Sequence, residues 1–386
     1  MEHNDELKRL PIGIQTFSEI REGNYLYVDK TAFVYELTHE NMYVFFSRPR
    51  RFGKSLLCST LKSYFEGRRD LFEGLKIADL ETEWKKYPVV SFDFNELQNG
   101  QGLKDYVDQK LNDLIIEFGL DCSYNLNFYW MLRQIYEKTG KSVVVLMDGY
   151  DKPLLDLLGT EGNEDLIKDN LDLMKSLLID VKSAEAASAI QYVFVTGSVK
   201  LIHCGSSPFD CFEIPHDLTK NYRYGSLYGF TEEELRNNFD EPLRRLANKE
   251  GFSVNELIDR LKERCGGYNF TCSEEPVFAP DAVLNVLEKQ NLQAEEKVEI
   301  PDYLLRMVDI AQAKSNICLY ENHSLMGYQY GHKDLTMLFF MNGLMTIKDW
   351  DNDFSHYNLQ FTNHRAVETV RNLVGDKYCA DGLLSN

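Results

Sequence analysis

The chain has 386 residues, of which 44% are hydrophobic and 27% are charged, and its formal net charge is −19 at pH 7. This composition predicts a soluble globular protein of about two or three domains. The acidic balance argues against general DNA binding, because neutralising a phosphate backbone requires clustered Lys and Arg. It favours a protein partner or self-association, although one basic cluster, SRPRRFGK at residues 47–54, leaves local nucleic-acid binding open.

Targeting and cysteine signals predict a cytoplasmic protein. The first ten residues, MEHNDELKRL, are polar and lack the apolar segment of a signal peptide. No apolar run reaches the roughly 18 residues that a membrane helix needs, so we expect no membrane association. The eight cysteines are scattered without a C-x-x-C pair. We therefore expect reduced thiols, with neither a disulfide framework nor a zinc ribbon.

Four short apolar runs in the first 200 residues predict strands. They contain β-branched and aromatic residues without polar alternation, as buried strands of parallel sheets do. The runs are MYVFFS (42–47), PVVSFDF (88–94), SVVVLMD (142–148) and QYVFVTGS (191–198). Segments with helical spacing lie between them: KSLLCSTLKSYFEG (54–67), LKDYVDQKLNDLIIEFG (103–119) and NLDLMKSLLIDVK (170–182). The alternation predicts an α/β fold, a P-loop three-layer sandwich with a mainly parallel sheet.

The sequence changes character near residue 230. GFTEEELRNNFDEPLRRLANKEG (229–251) and FSVNELIDRLKERCGGYNF (252–270) each contain a Thr or Ser followed three residues later by Glu, the capping box of a helix. A helix in HKDLTMLFFMNG (332–343), a hairpin of LMTIKDW (344–350) with HYNLQFT (356–362), and a helix in NHRAVETVRNLVG (363–375) predict a winged-helix-like unit. The expected regions are an N-terminal segment packed on the core (1–40), a P-loop domain (41–230), a helical domain (231–300) and a winged-helix-like domain (301–386).

The junction of the first predicted strand and helix has the pattern of a phosphate-binding, or Walker A, loop. It ends in Gly53-Lys54-Ser55. In such a loop, backbone N–H groups and the helix N-terminus surround the phosphates, while the Lys reaches the β- and γ-phosphates and the Ser holds Mg²⁺. The consensus places a glycine at position 48, where this chain has an arginine. The expected nucleotide-binding residues are Arg48, Pro49, Arg50, Arg51, Phe52, Gly53, Lys54, Ser55 and Leu56, and the three arginines are expected to contact phosphate.

Residues after the later strands are candidates for the chemistry of the phosphate. Asp148 ends the third predicted strand, the Walker B position, where an Asp completes the Mg²⁺ site of a P-loop protein. A hydrolysing enzyme usually has Glu next, but Gly149 has no side chain to act as a base. Asp151 is a candidate replacement base, and capping a helix or pairing with an Arg are equally good interpretations. Thr196 either positions water or the γ-phosphate or simply ends its strand.

These motifs together resemble the bacterial AAA-ATPase-like family that is abundant in gut Bacteroidetes, whose longer members carry a C-terminal PD-(D/E)XK nuclease-like domain. The matching stretches are LPIGIQTFSEIREGNYLYVDKT (10–31), FFSRPRRFGKSLLCSTLKSYFEG (45–67), VVVLMDGYDKPLLD (143–156), YVFVTGSVK (192–200), LYGFTEEEL (227–235), CGGYNF (265–270) and GLMTIKDWD (343–351). In that family the loop reads Arg-Pro-Arg-Arg-Phe-Gly-Lys-Ser/Thr, so an arginine at position 48 follows the family pattern. The nuclease-like domain is expected to be absent from this chain.

This sequence departs from the family pattern at two places. The family reads Asp-Glu-Tyr-Asp where this chain has Asp148-Gly149-Tyr150-Asp151, and Thr-Gly-Val-Ser/Thr-Lys where it has Thr196-Gly197-Ser198-Val199-Lys200. Both changes affect hydrolysis more than binding. The family signature Tyr27–Thr31 has no role that its residues alone imply; Asp29 and Thr31 lie either near the nucleotide or in the attachment of the N-terminal segment.

The resemblance implies an ATPase core that binds ATP and Mg²⁺ through Lys54, Ser55 and Asp148. The leading prediction is a cytoplasmic ATP-binding protein that acts as a nucleotide-dependent switch, with weak or absent hydrolysis. One alternative is an active ATPase with Asp151 as the base. The other is a protein-interaction scaffold that acts with a nuclease or another partner in trans. Only the resemblance favours ATP over GTP.

Overall fold

The computed structural model describes residues 8–97, 102–121, 127–202, 217–272, 275–294, 300–313, 319–320, 322–325, 328–329, 334–351 and 356–375. The helices of the first half are α1 (Phe17–Glu22), α2 (Thr31–Glu40), α3 (Lys54–Phe65), α4 (Ile77–Leu80), α5 (Leu103–Phe118), α6 (Phe128–Thr139), α7 (Lys152–Leu155) and α8 (Glu164–Ala186). The strands of the first half are β1 (Tyr43–Ser47), β2 (Val89–Asp93), β3 (Val143–Asp148), β4 (Ile190–Gly197) and β5 (Leu201–Ile202). Within these residues no helix has the length and apolar character needed to cross a bilayer.

The four predicted strands form one parallel sheet, in the order β1-β4-β3-β2. Successive side chains of each strand enter two different hydrophobic clusters, one on each face. Val44 and Phe46 join Leu61 of α3 in the first cluster, whereas Tyr43 and Phe45 join residues of α5, α6 and α8 in the second. Because helices cover both faces, both sets of side chains are buried, which explains the unbroken apolar runs. The expectation of a parallel sheet between two helical layers is confirmed.

The register of the strands brings their carboxyl ends into one row. Phe46 pairs with Thr196, Thr196 with Asp148, and Asp148 with Asp93. In open α/β sheets ligands bind outside this edge. At the free side of β1, Asp217 forms a parallel bridge with Phe45, so the chain entering the second half runs beside the first strand.

The second half contains helices and a small antiparallel sheet. Its helices are α9 (Glu232–Asn238), α10 (Asp240–Glu250), α11 (Val254–Cys265), α12 (Pro280–Lys289), α13 (Asp302–Ala313), α14 (Leu335–Met341) and α15 (His364–Val374). Its strands are β6 (Asn322–His323), β7 (Tyr328–Gln329), β8 (Met345–Asp351) and β9 (His356–Phe361). Strands β6, β9 and β8 form an antiparallel sheet, and β7 pairs with β5.

Several local predictions for this half are confirmed. Thr231 with Glu234 and Ser253 with Glu256 form reciprocal capping boxes at the starts of α9 and α11. The predicted hairpin is β8 with β9, and the predicted helices before and after it are α14 and α15. The winged-helix designation and the four region boundaries stay predictions, and residues 376–386 of the last region lie outside the described residues.

The two halves share a core. The cluster on the α3 face of the sheet continues through α9–α14 into β8 and β9. Consequently the second half packs directly against the side of the sheet from which the loop between β1 and α3 emerges.

Candidate nucleotide-binding site

The loop between β1 and α3 turns sharply through two residues with left-handed backbone. Arg51 has φ +64° and Gly53 has φ +87°. Gly53 is the N-cap residue of α3, a position where glycine adopts positive φ without steric cost. For an arginine this backbone conformation is strained, so contacts with surrounding residues must stabilise it. The turn directs the N-terminus of a twelve-residue helix toward the end of β1, the arrangement that attracts phosphate.

Lys54 is folded back into this loop. Its Nζ donates hydrogen bonds to the carbonyl oxygens of Arg48 and Pro49, each at 2.8 Å. Burial lowers the pKa of Lys54 to about 8, and the carboxylates of Asp148 and Asp151 oppose that decrease. A cation held by two neutral carbonyls is poised to exchange them for phosphate oxygens, because hydrogen bonds to charged acceptors are stronger.

Ser55 and Asp148 meet at the position expected for Mg²⁺. The Ser55 hydroxyl lies close enough to the Asp148 carboxylate to lower the pKa of Asp148. The Oδ1 atom of Asp148 is buried and has no hydrogen-bond partner among the described residues. Burial and the neighbouring Asp93 raise the pKa of Asp148, so a cation at its free oxygen would favour the ionised form. These oxygen donors fit Mg²⁺, which is bound through one or two protein oxygens together with substrate phosphates and water.

No self-contained metal cluster accompanies this pair. Among the described residues, no group of three or more His, Cys, Asp or Glu side chains could hold a metal ion. A metal at Ser55 and Asp148 would therefore depend on phosphate oxygens for the rest of its ligands.

The space in front of Gly149 is filled by Asn95, from the turn that follows β2. Gly149 has φ +67°, and a Cβ atom added there would lie 2.6 Å from Oδ1 and 2.8 Å from Nδ2 of Asn95. Asp93 Oδ1 accepts hydrogen bonds from the backbone N–H and the Nδ2 of Asn95, both at 2.9 Å. Sequence reasoning missed Asp93 and Asn95. The available signal was an aspartate near the end of the second apolar run, Asp93, which resembles Asp148 at the end of the third.

Asp151 is tied to the turn that follows β4. Its Oδ2 accepts hydrogen bonds from the backbone N–H groups of Ser198 at 2.8 Å and Val199 at 2.7 Å. Although it is the N-cap residue of α7, its side chain makes no capping hydrogen bond there. Burial raises the pKa of Asp151 to about 6. The carboxylate holds the loops after β3 and β4 together, a role that the sequence alternatives did not include.

Thr196 is fully buried near the carboxyl end of β4. Its hydroxyl donates to the carbonyl oxygen of Phe46 at 2.9 Å, and its own carbonyl accepts from the backbone N–H of Tyr150 at 3.2 Å. The side chain thus joins β4 to β1 in the row of strand ends. Its pairing with Asp148 in the register places it next to the candidate metal site.

Three residues of the loop, Arg48, Pro49 and Phe52, face the second half of the chain. The Arg48 guanidinium is 1% exposed and lies 4.8 Å from the ring centre of Phe270. Its Nη1 donates to the carbonyl of Thr219 at 2.7 Å, whereas Nε and Nη2 have no hydrogen-bond partner among the described residues. Burial lowers the pKa of Arg48 to about 10. The expectation that this side chain contacts phosphate does not match its direction, because it points into the aromatic interior.

Pro49 and Phe52 also pack against the second half. A Cβ atom added at Gly343 would lie 3.1 Å from Pro49 Cγ and 3.0 Å from Tyr268, so the turn after α14 lies directly on the loop. The Phe52 ring is 4.9 Å from that of Tyr268. These contacts account for an arginine and a proline where ordinary phosphate-binding loops have glycine and small residues. Arg50, in contrast, is exposed.

A cavity of about 230 Å³ opens beside the loop. Three parts of the chain line it: the N-terminal segment through residues such as Ile14 and Tyr27, the second half through Phe230 and Leu284, and the loop. From the loop, Arg51, Phe52, Gly53, Lys54, Ser55 and Leu56 contribute. Among the predicted binding residues, Arg48, Pro49 and Arg50 do not line the cavity. An apolar recess next to a phosphate-binding turn suits a nucleoside base and sugar.

The signature at residues 27–31 closes this cavity instead of supplying phosphate ligands. Asp29 accepts hydrogen bonds from the Thr31 backbone N–H and hydroxyl at 2.8 and 2.6 Å, and from the Lys76 N–H at 2.7 Å. Lys30 lines the cavity, and its Nζ donates to Glu234 at 2.6 Å and to the Ser226 carbonyl. Asp29 and Thr31 therefore attach the N-terminal segment, and Lys30 links it to the second half.

Comparisons with known proteins find a matching family and a curated relative. A family model described as Predicted AAA-ATPase matches residues 11–205. A curated relative from Azotobacter chroococcum mcd 1, described as an uncharacterized protein in the vnfD 5' region, is 32% identical over 292 residues. The aligned part covers 74% of this chain and 53% of that protein, so the chain spans about half the length of this relative. No solved structure matches the chain significantly.

Proposed function

Because the chain belongs to the family of predicted AAA-ATPases, we propose that it binds ATP with Mg²⁺ and acts as a nucleotide-dependent switch that hydrolyses ATP slowly. The observation that carries the proposal is the proximity of Lys54, Ser55 and Asp148 to one another, with Lys54 and Ser55 lining the cavity. Lys54 Nζ is held only 2.8 Å from two loop carbonyls, and Asp148 keeps a buried oxygen without a protein partner in the described residues.

In this proposal each group has one task. Lys54 supplies positive charge to the β- and γ-phosphates, and the cavity beside it takes the base and sugar. Ser55 and Asp148 would hold Mg²⁺, which neutralises phosphate charge when it is bound. The direction of the helix N-terminus adds a favourable dipole at the phosphates.

Slow hydrolysis follows from the residues beyond Asp148. Gly149 offers no base, and the carboxylate of Asp151 already accepts two backbone N–H groups at 2.7 and 2.8 Å. General-base assistance typically contributes about 10²–10⁴-fold to a rate, so turnover without it should be slow. An active ATPase that uses Asp151 as the base is the alternative that kinetics must test.

Switching follows from where the loop packs. Pro49 contacts the turn at Gly343, and Lys54 holds the Pro49 carbonyl. Phosphate that draws Lys54 away from this carbonyl releases one constraint on the residue that touches the second half. Occupancy of the site is thereby linked to the packing of α14 and β8. The proposed partner of the switch is another protein, in keeping with the acidic net charge of −19.

The first test is thermal unfolding with Mg-ATP, Mg-ADP and Mg-GTP. A ligand at about 100 times its Kd adds roughly 2.7 kcal/mol to stability. We expect this shift with Mg-ATP in the native protein and its loss in Lys54→Ala. Lys62→Ala is the matched control, because Lys62 is on the same helix, is 48% exposed and pairs only weakly with Glu66 at 4.0 Å. Absence of a shift with every nucleotide would reject the proposal and leave the scaffold function.

A further inference from the structure

The residue next to the candidate metal ligand Asp148 is a glycine whose missing side chain is replaced in space by Asn95. The Oδ1, Nδ2 and Cγ atoms of Asn95 lie 2.6, 2.8 and 2.9 Å from the place that a Cβ of Gly149 would take. At contacts below 3.0 Å, a Cβ atom at position 149 would require the Asn95 amide group to move aside. A side chain from the loop after β2 therefore occupies the position that β3 leaves empty.

Asn95 is held in one orientation at this place. Its Nδ2 and its backbone N–H both donate to Asp93 Oδ1 at 2.9 Å. Asp93 is fixed in turn, because Tyr106 donates its hydroxyl proton to the Asp93 carbonyl at 2.6 Å, and because Asp93 pairs with Asp148 in the sheet register. With the amide nitrogen on Asp93, the amide oxygen is the atom closest to Gly149.

We propose that Asn95 is a catalytic residue of the slow reaction, which orients the attacking water in place of a side chain at position 149. This inference rests on the proposed function. The solvent-exposed position of Asn95, beside the strand ends at Asp93 and Asp148, would give water access to a phosphate held at Asp148. Amide side chains orient the attacking water in other phosphate-loop enzymes.

The chemistry of the step is a phosphoryl transfer to water. The water oxygen forms a bond to the γ-phosphorus while the bond from that phosphorus to the β,γ-bridging oxygen breaks, and ADP leaves with the electron pair. The water donates one hydrogen bond to Asn95 Oδ1 and passes a proton to a phosphate oxygen. An amide does not accept that proton, so Asn95 contributes orientation alone and the reaction stays slow.

The test compares Asn95→Ala and Asn95→Asp with the native protein in three measurements. These are the single-turnover rate with Mg-ATP, the Kd for Mg-ADP, and formation of the complex of Mg-ADP with aluminium fluoride, which mimics the transferring phosphoryl group. In Asn95→Ala we expect the rate to fall by about 10²-fold, the effect of losing one oriented hydrogen bond to the reacting atoms. The aluminium fluoride complex should weaken while the Kd for Mg-ADP is unchanged.

Asn95→Asp gives a readout that a purely structural role would not produce. A carboxylate at this place accepts a proton, so its rate should rise with pH as the group ionises, whereas the native rate lacks that rise. The neighbouring Asp93 and Asp148 carboxylates should raise the pKa at which this occurs. Asn112→Ala is the control, because it also removes an asparagine side chain, but from the exposed side of α5.

Three results would overturn the inference. They are an Asn95→Ala rate equal to the native rate, an equal weakening of Mg-ADP and of the aluminium fluoride complex, and a native protein that binds Mg-ATP but neither turns it over nor forms that complex. In each case nucleotide binding that depends on Lys54 would still support the binding part of the proposed function. Failure of Mg-ATP binding itself would reject both.

Discussion

The two halves of the candidate site differ in how they are built. The binding half, Lys54 and Ser55 with Asp148, has every side chain that phosphate and Mg²⁺ binding need, and two of its members are adjacent in sequence. The proposed hydrolytic half consists of Asn95, Gly149 and Asp151. It has a missing side chain at Gly149, a substitute from the turn after β2, and a carboxylate bound to two backbone N–H groups. The proposed binding and the proposed turnover therefore depend on different residues, and variants can address one without the other.

The largest expected effect distinguishes two possible roles of Asp151, as a catalytic base or as a carboxylate that stabilises the fold. Asp151→Ala removes the acceptor of the Ser198 and Val199 N–H groups, and each buried donor left unpaired costs about 1–3 kcal/mol. We expect the free energy of unfolding in urea to fall by about 2–4 kcal/mol. Asp151→Asn keeps an acceptor oxygen, so it should lose less stability and retain turnover.

A pH series adds a second readout for the same residue. Because burial raises the pKa of Asp151 from 3.8 to about 6, the folded protein holds a proton between these values that the unfolded chain has released. Stability from this group is therefore lost as pH rises from 3.8 to about 6, and Asp151→Asn should lack that slope. If Asp151→Asn instead abolished turnover with ATP binding intact, Asp151 would be the base and the contrast between the halves would disappear.

The next effect concerns the charge of Lys54 in the binding half. Burial lowers its pKa from 10.5 to about 8, and phosphate binding requires the protonated form. Above about pH 8 we expect the Kd for Mg-ATP to rise by up to about tenfold per pH unit, equivalent to about 1.4 kcal/mol. Calorimetric titrations between pH 7 and 10 would measure it, with Lys54→Ala as the variant whose weak binding should not depend on pH.

For the protein without nucleotide, the free energy of unfolding should change with pH in the direction opposite to the affinity for Mg-ATP. Between pH 8 and 10.5 the unfolded chain keeps a proton on Lys54 that the folded protein has lost. Stability of the free protein should therefore increase with pH in this window while ATP affinity decreases. Parallel changes of both quantities would assign the pH dependence to another group.

A third change asks whether the hydrolytic half can be restored. Gly149→Glu places an L-residue at φ +67° and sets its Cβ 2.6 Å from Asn95. We expect a loss of about 1–2 kcal/mol from the backbone alone, measured separately by Gly149→Ala, and no gain in turnover. Trimming the neighbour in Gly149→Glu/Asn95→Ala should make room for the base and raise turnover by up to about 10²–10⁴-fold. A gain in the single variant would show that Asn95 does not occupy the required space.

The difference between the binding half and the hydrolytic half of the site also explains which site residues could be predicted from the sequence. Lys54 and Ser55 belong to a local motif that follows the first apolar run, Asp148 ends the third run, and buried parallel strands are recognisable because both of their faces are covered. Asn95 could not be placed in the same way, since its position in front of Gly149 depends on the register between β2 and β3. Register is a tertiary property with no local signal.

The loop arginines show the same limit. Arg48, Arg50 and Arg51 form one basic run in sequence, which indicates phosphate contact for all three. In the fold, Arg48 enters an aromatic interior built partly from Phe270, Arg50 is exposed, and Arg51 lines the cavity. Two of the rings beside Arg48, those of Tyr228 and Phe270, come from distant parts of the chain, so the sequence around the loop could not have distinguished the three side chains.

The smallest expected effect concerns Arg51 and tests whether this loop arginine contributes to nucleotide binding. Arg51 lines the cavity, has φ +64° and lies 3.5 Å from Asp281 of α12, with its side chain 51% exposed. Arg51→Gly relieves the left-handed backbone but removes an ion pair that, at this exposure, is worth about 0–1 kcal/mol. Since the two effects oppose each other, stability should change by less than about 1 kcal/mol.

Affinity should respond where stability does not. Removing a cation beside the phosphate-binding turn should weaken Mg-ATP binding by about three- to tenfold at low salt, and the loss should shrink as salt screens exposed charges. Arg51→Lys keeps the charge and should retain most of the affinity. An Arg51→Gly protein that binds Mg-ATP as the native protein does would leave Lys54 as the principal cation of the binding half and restrict the role of Arg51 to its contact with α12.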